Sequence, residues 1–266
     1  MKVLFITSTR IGDAILSTSV LRYIKNKFPY SSLYIATGKT PASLFKNFGN
    51  IKKIFILKKK KFKIHWLELW WQTFFNKWDI IIDLRGSLIS YLLFNEQKYI
   101  YKSIKENIHR LDELALLMRT KYLPLPSIPI LKKDTKKISK DFLKLKNPIA
   151  IGASANWPAK IWPAKKFVKL IKILLKEKKF GKEKFIVFFG SSKDLKNIKK
   201  ITKHLKKSRV INFCGKLNLI EVIAHLKKCK IFIGNDSGLM HIASVSGIPT
   251  LGLFGPSLES RYAPKG

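Results

Sequence analysis

Short runs of apolar, often β-branched residues alternate with longer stretches whose apolar residues recur at helical spacing, and they do so in both halves of the chain. That alternation is the pattern of parallel sheets covered by helices. In the first half it predicts strands over Val3–Thr7, Leu33–Thr37, Lys53–Leu57 and Ile80–Leu84, with helices over Ala14–Lys27, Phe62–Lys77 and His109–Thr120. In the second half it predicts strands over Ile149–Ala153, Lys184–Phe189, Arg209–Phe213, Ile231–Gly234 and Thr250–Phe254, with helices between them. Asn218 followed by Glu221 reads as a capping box opening a helix to Lys228. Gly247 stands where that pattern wants a helix to stop before a new strand. Between the halves, "YLPLPSIPILKKDTKK" (Tyr122 to Lys137) gathers prolines and then lysines, the composition of an exposed connection. The expected architecture is α/β, two Rossmann-like doubly wound domains over residues 1–135 and 136–266.

Charge adds a constraint on partners. The 266 residues carry 53 Lys plus Arg against 16 Asp plus Glu, a formal net charge of +37. Such a balance attracts polyanions: nucleic acid, anionic lipid headgroups or phosphorylated substrates. Nearly all of it is Lys, spread along helix-like faces, whereas specific nucleic-acid readers add Arg for bidentate contacts; a compositional bias of the source genome would give the same excess. Cys214 and Cys229 show neither CxxC spacing nor His neighbours at metal-ligand intervals, so a zinc site or disulfide scaffold is not expected and a reducing compartment fits. The apolar run after Met1 is too short for a signal-peptide core, and no segment approaches a transmembrane length. The expected location is the cytoplasm.

Three stretches carry candidate chemistry. In "GNDSGLMHIASVSG" a strand ends in polar residues and a helix begins, so Ser237, Gly238 and the first-turn N–H groups can cradle an anion, with His241 a turn further on. The alternative is that Asp236 or Ser237 only caps the helix and His241 is a core residue. In "TSTRIGDAIL", Asp13 lies at a strand-to-helix turn, where a carboxylate either caps the helix or faces the crevice as a general base. In "IGASANWPAKIWPAKKF", Lys160 lies between two Trp-Pro pairs that stiffen its loop; the alternative is one more solvated lysine.

Taken in order, "RIGDAILSTSVL", "DLRGS", "KIWPAKKF" and "NDSGLMHIASVSGIPTLGLFGPS" resemble the motifs of the ADP-heptose:lipopolysaccharide heptosyltransferases, glycosyltransferase family nine. The resemblance spans nearly the whole chain and implies a GT-B arrangement, two Rossmann-like domains facing across a cleft, the first for the acceptor and the second for the nucleotide sugar. It implies Asp13 as catalytic base, Lys160 on the donor phosphates, and Ser154, Asp236, Ser237, Gly238 and His241 around the donor. Arg10 and Arg85 fall to the acceptor. Asp194, four residues after Gly190, stands where the family places a ribose-binding acid and is shorter than the usual Glu. The chain stops at "RYAPKG", where the family continues into a terminal helix.

The implied reaction is an inverting transfer of heptose from ADP-heptose to a lipopolysaccharide inner-core acceptor. No metal and no cofactor beyond the nucleotide-sugar co-substrate are expected; "DIIID" (Asp79 to Asp83) reads as structural rather than as a metal site. The expected state is a monomer with no specific nucleic-acid partner. "KKKKFKIHWLELWWQTFFNKWD" (Lys58 to Asp79) joins lysines to aromatics, which suits peripheral association with the anionic inner leaflet at the cytoplasmic face of the inner membrane; its alternative is a crossover helix burying one aromatic face. The rival readings of the whole chain are a non-catalytic polyanion binder on the same fold and a related transferase using a different nucleotide sugar.

Overall fold

The computed structural model describes residues 1–103 and 107–266. The chain divides into two compact units, Met1–Pro129 and Ile130–Gly266. The sequence-based boundary at 135/136 lies a little further along the same connection. That connection is less free than its composition suggests. The Ser127 N–H donates to Thr18 Oγ1 at 3.1 Å, Arg22 Nη1 donates to the Leu125 carbonyl at 2.6 Å, and Asn47 Nδ2 donates to the Pro129 carbonyl at 3.0 Å.

In the first unit, β1 (Lys2–Ile6), β2 (Ser32–Gly38), β3 (Ile51–Leu57), β4 (Trp78–Asp83) and β5 (Asn95–Ile100) form one parallel sheet in the order β3-β2-β1-β4-β5. The strand β5 was not expected. Its sequence, NEQKYI, has no apolar alternation because it is an edge strand with Glu96, Gln97 and Lys98 exposed, the polar edge that discourages pairing with another chain. The helix α1 (Ile11–Lys27) is buried over Ala14–Leu21, and Ser17 and Thr18 satisfy their hydroxyls on the carbonyls of Ala14 and Ile15. The short α2 (Ala42–Phe45) packs on the same side of the sheet, with the Phe45 ring 6.5 Å from that of Phe5. On the other side lies α3 (Ile64–Phe74), which starts later than the predicted Phe62–Lys77 because Phe62 and Lys63 have left-handed φ values of 50° and 57°, and which ends at Phe74. The helix α4 (Arg110–Leu117) is capped by His109, whose Nδ1 accepts from the Leu111 N–H.

In the second unit two short helices, α5 (Lys132–Thr135) and α6 (Lys140–Leu143), precede a second parallel sheet. Its strands are β6 (Pro148–Gly152), β7 (Phe185–Phe188), β8 (Val210–Asn212), β9 (Ile231–Asn235) and β10 (Thr250–Leu253), in the order β10-β9-β6-β7-β8. The helix α7 (Ala164–Lys176) turns Phe167, Ile171 and Leu174 inward at i, i+4 and i+7 onto Ile149, Ile151, Ile186 and Phe188, and keeps its lysines outside. It is followed by α8 (Leu195–Thr202), α9 (Leu219–Leu226), α10 (Gly238–Val245) and α11 (Glu259–Tyr262). The Asn218–Glu221 capping box is present at the start of α9, and Gly247 ends α10 with φ 75°. Every predicted strand is found, with ends that differ by at most two residues.

Both sheets reverse their strand order beside the central strand, between β1 and β4 in the first and between β6 and β9 in the second. At such a switch point neighbouring loops diverge and leave a crevice at the carboxyl ends of the strands.

Candidate functional site

The loops after β1 and β4 leave the first sheet side by side, because Ile6 pairs with Asp83 and the Leu84 N–H donates to the Ile6 carbonyl. Arg10 and Asp13 come from the first loop, and Arg85 from the second. Asp13 does not cap its helix. The N-cap residue is Arg10, and Asp13 lies inside the first turn, partly exposed. Its Oδ2 accepts one contact from Ser8 Oγ at 3.3 Å, and among the described residues it forms no ion pair. Arg10 and Arg85 are exposed, with the Arg85 guanidinium 5.9 Å from the centre of the Trp66 ring.

Asp83 is fully buried and belongs to the loop itself. Its carboxylate accepts from the N–H of Arg85 at 2.8 Å, the N–H of Ser87 at 2.7 Å, Ser90 Oγ at 2.7 Å and Ser87 Oγ. The structural reading of "DIIID" holds for this residue. Asp79 sits at the other end of the strand and accepts from the Lys2 N–H.

In the second unit the switch point is unusually tight. Gly152 pairs with Gly234, and a Cβ on Gly234 would lie 2.6 Å from the Gly152 carbonyl oxygen, so only glycine fits there. The loops after β6 and β9 rise from this point. Lys160 Nζ donates to Asp236 Oδ2 at 2.6 Å, with the side chains 23% and 5% exposed, and Ser257 Oγ donates to the same oxygen from beyond β10. The Trp162 N–H donates to Asn235 Oδ1 at 3.1 Å and ties the lysine loop to the end of β9. Pro158 opens the short turn that carries Lys160, and Pro163 stands at the N-cap of α7. This lysine is therefore held rather than solvated.

The capping alternative for the glycine-serine motif is not realised. Asp236 is engaged by Lys160 and Ser257. Ser237 occupies the N-cap position of α10 but makes no side-chain cap, and its Oγ is buried with no hydrogen-bond partner among the described residues. A buried hydroxyl left in that state costs about 1–3 kcal/mol, which a ligand acceptor would recover. Beside it the N–H groups of Gly238 and Leu239 have no acceptor within their own helix, and the helix dipole adds about half a positive charge at that end. His241 is buried one turn further along α10. Ser154 is buried just after β6. Asp194 accepts from the N–H and hydroxyl of Ser191 at 2.7 and 2.8 Å, so its Oδ2 serves the loop after β7.

Sequence reasoning missed Ser257, Asn235 and the Lys160–Asp236 pair. No local signal marks them, since the lysine and its acid are 76 residues apart. A cavity of about 560 Å³ lined by Lys184, His204 and Arg209 lies at the opposite edge of this sheet, where β7 begins, and is separate from the strand ends that gather the candidate residues. Among the described residues no cluster of His, Cys, Asp and Glu has the makings of a metal site.

Two doubly wound units, one with a partnerless serine hydroxyl at a helix N-terminus beside a held lysine and the other with a lightly held acid at its switch point, define an α/β protein with its candidate chemistry at the strand ends. Residues 91–266 match the sequence model of glycosyltransferase family 9 (heptosyltransferase). A lipooligosaccharide heptosyltransferase 2 of Campylobacter jejuni subsp. jejuni serotype O:6 is 28% identical over 285 residues, covering 99% of this chain and 84% of that protein. Among solved structures, the glycosyl transferase family 9 protein of Veillonella parvula superposes with a TM-score of 0.80 at 21% identity, over 99% of this chain and 84% of that one. The E. coli ADP-heptose lps heptosyltransferase II gives a TM-score of 0.77 at 20% identity, over 99% and 88%. The chain belongs to glycosyltransferase family 9, and it is a glycosyltransferase.

Proposed function

We propose that this glycosyltransferase is a heptosyltransferase of lipopolysaccharide or lipooligosaccharide assembly, moving a heptose from ADP-heptose to an inner-core acceptor with inversion at the anomeric carbon. The cradle at Ser237 and Gly238, with its partnerless buried hydroxyl and the lysine fixed beside it, carries the donor half of this reading. The names of the Campylobacter and E. coli relatives support the sugar and the class of acceptor.

The acceptor hydroxyl attacks the anomeric carbon while the bond from that carbon to the diphosphate oxygen breaks. The hydroxyl proton passes to Asp13, and ADP leaves with the bonding electron pair. Negative charge grows on the departing diphosphate, so Lys160 and the N–H groups at Gly238 stabilise the transition state more than the ground state. Asp236 would repel a diphosphate if it were bare. Paired with Lys160 and Ser257, it acts as a positioning residue that aims the ammonium. The fixed ammonium and the helix N–H groups can do the charge neutralisation a bound Mg²⁺ does in other transferases, which supports a metal-independent reaction. The proposed place of action is the cytoplasmic face of the inner membrane.

Calorimetry with ADP, UDP and their sugar conjugates, followed by a transfer assay on lipopolysaccharide precursors with and without chelator, tests this reading. ADP species alone should bind, and turnover should survive the chelator. Transfer from a UDP-sugar, or loss of activity with the chelator that Mg²⁺ restores, would overturn it.

A further inference from the structure

The side of the first sheet away from α1 is thinly covered, by α3 and the turn Leu88–Tyr91. Trp66, Leu69, Trp70 and Phe74 pack inward on Leu4, Ile6 and Trp78, so the crossover-helix reading of this segment is correct for one face. The other face carries exposed apolar residues alongside Glu68 and Gln72. Phe62 is 94% exposed, Leu67 62%, Trp71 64% and Phe75 77%. Leu88 in the turn, at 80%, and Phe94 after it, at 64%, are exposed on the same side. Three of these rings are linked through the partly buried Phe74, with Phe94 5.6 Å from Phe74, Phe74 5.3 Å from Phe75, and Phe75 5.7 Å from Trp71. Isolated exposed apolar residues are ordinary, but a contiguous patch of this kind marks a surface that meets something.

The charge beside the patch says what. Lys58–Lys61 and Lys63 are all exposed at the start of α3. The exposed acids of this face, Glu68 and Glu96, are each tied up in an ion pair, with Lys60 and with Lys77. Protein interfaces are depleted of Lys, and a second copy of this chain would bring like charges together. Anionic headgroups complement the lysines, while the boundary below them accepts Trp and Phe rings.

We infer that this face docks on an anionic lipid bilayer, with Phe62, Trp71 and Phe75 entering the headgroup–acyl boundary and the lysine run lying on the headgroups. No helix among the described residues is long and apolar enough to cross a membrane, so the contact is peripheral. The inference stands on this surface alone and holds whichever sugar is transferred.

The test is binding of the full chain to phosphatidylcholine vesicles with and without phosphatidylglycerol, at low and high salt, with brominated acyl chains to quench tryptophan. A net charge of +37 gives some binding to anionic vesicles by itself, and salt removes that part. Insertion is the part that persists and is quenched. The double variant Trp71→Ser, Phe75→Ser should lose quenching and about tenfold or more of the salt-resistant binding, with an unchanged melting temperature. Leu88→Gln is the second variant, and Tyr30→Ser, 92% exposed elsewhere, should change nothing. Lys58→Gln and Lys59→Gln should each lower affinity for the phosphatidylglycerol vesicles about fivefold. Equal salt-resistant binding by the double variant, absence of quenching in the parent chain, or self-association abolished by the same substitutions without vesicle insertion would overturn the proposal.

Discussion

Asp83 closes β4 and Asp236 follows directly on β9, and each of these strands pairs with the central one across its unit's switch point. Their partners differ. Asp83 collects only its own turn, from Arg85 to Ser90. Asp236 collects the loop after β6 through Lys160 and the segment after β10 through Ser257. The first unit closes its turn locally and leaves Asp13 with one contact, from Ser8 Oγ at 3.3 Å. The second ties loops from three strands together around the Lys160–Asp236 pair. An aspartate after the equivalent strand is used differently in the two units because different loops supply its partners.

Asp13→Asn is the sharpest test of that contrast. Losing a general base typically costs about 10²–10⁴-fold, so transfer should fall by that factor while the melting temperature and ADP affinity hold. A variant that loses stability along with activity would show Asp13 to be a structural residue like Asp83.

Lys160→Met should behave in the opposite way. It strands the buried Asp236 carboxylate, and breaking such a pair costs about 3–5 kcal/mol of stability; exposure of the lysine puts this case at the low end. Adding Asp236→Asn should recover much of the stability without recovering donor affinity, as read by urea denaturation and calorimetry side by side. Full recovery of binding in the double variant would mean the lysine does not touch the donor.

The smallest effect is expected from Ser237→Ala. Its hydroxyl caps nothing, so the melting temperature should stay level or rise, while ADP affinity falls by the factor of about 2–13 that one net hydrogen bond of 0.5–1.5 kcal/mol provides. A clear loss of stability would return this serine to the role of an N-cap.

Much of this molecule is legible along the chain. Strand and helix types, the pairing of Asn218 with Glu221, the stop at Gly247 and the placing of Asp13, Lys160 and Ser237 at strand ends all follow from local periodicity and turn chemistry, which act over a few residues. Tertiary structure alone decided the rest. The edge strand β5 carries no apolar alternation because only its neighbour β4 makes it a strand. The two faces of α3 are both aromatic, and only packing against the sheet separates the buried rings from those left outside. Whether Asp236 would cap a helix or grip a lysine depended on a partner 76 residues away in sequence, which only the parallel pairing of β6 with β9 brings within 2.6 Å.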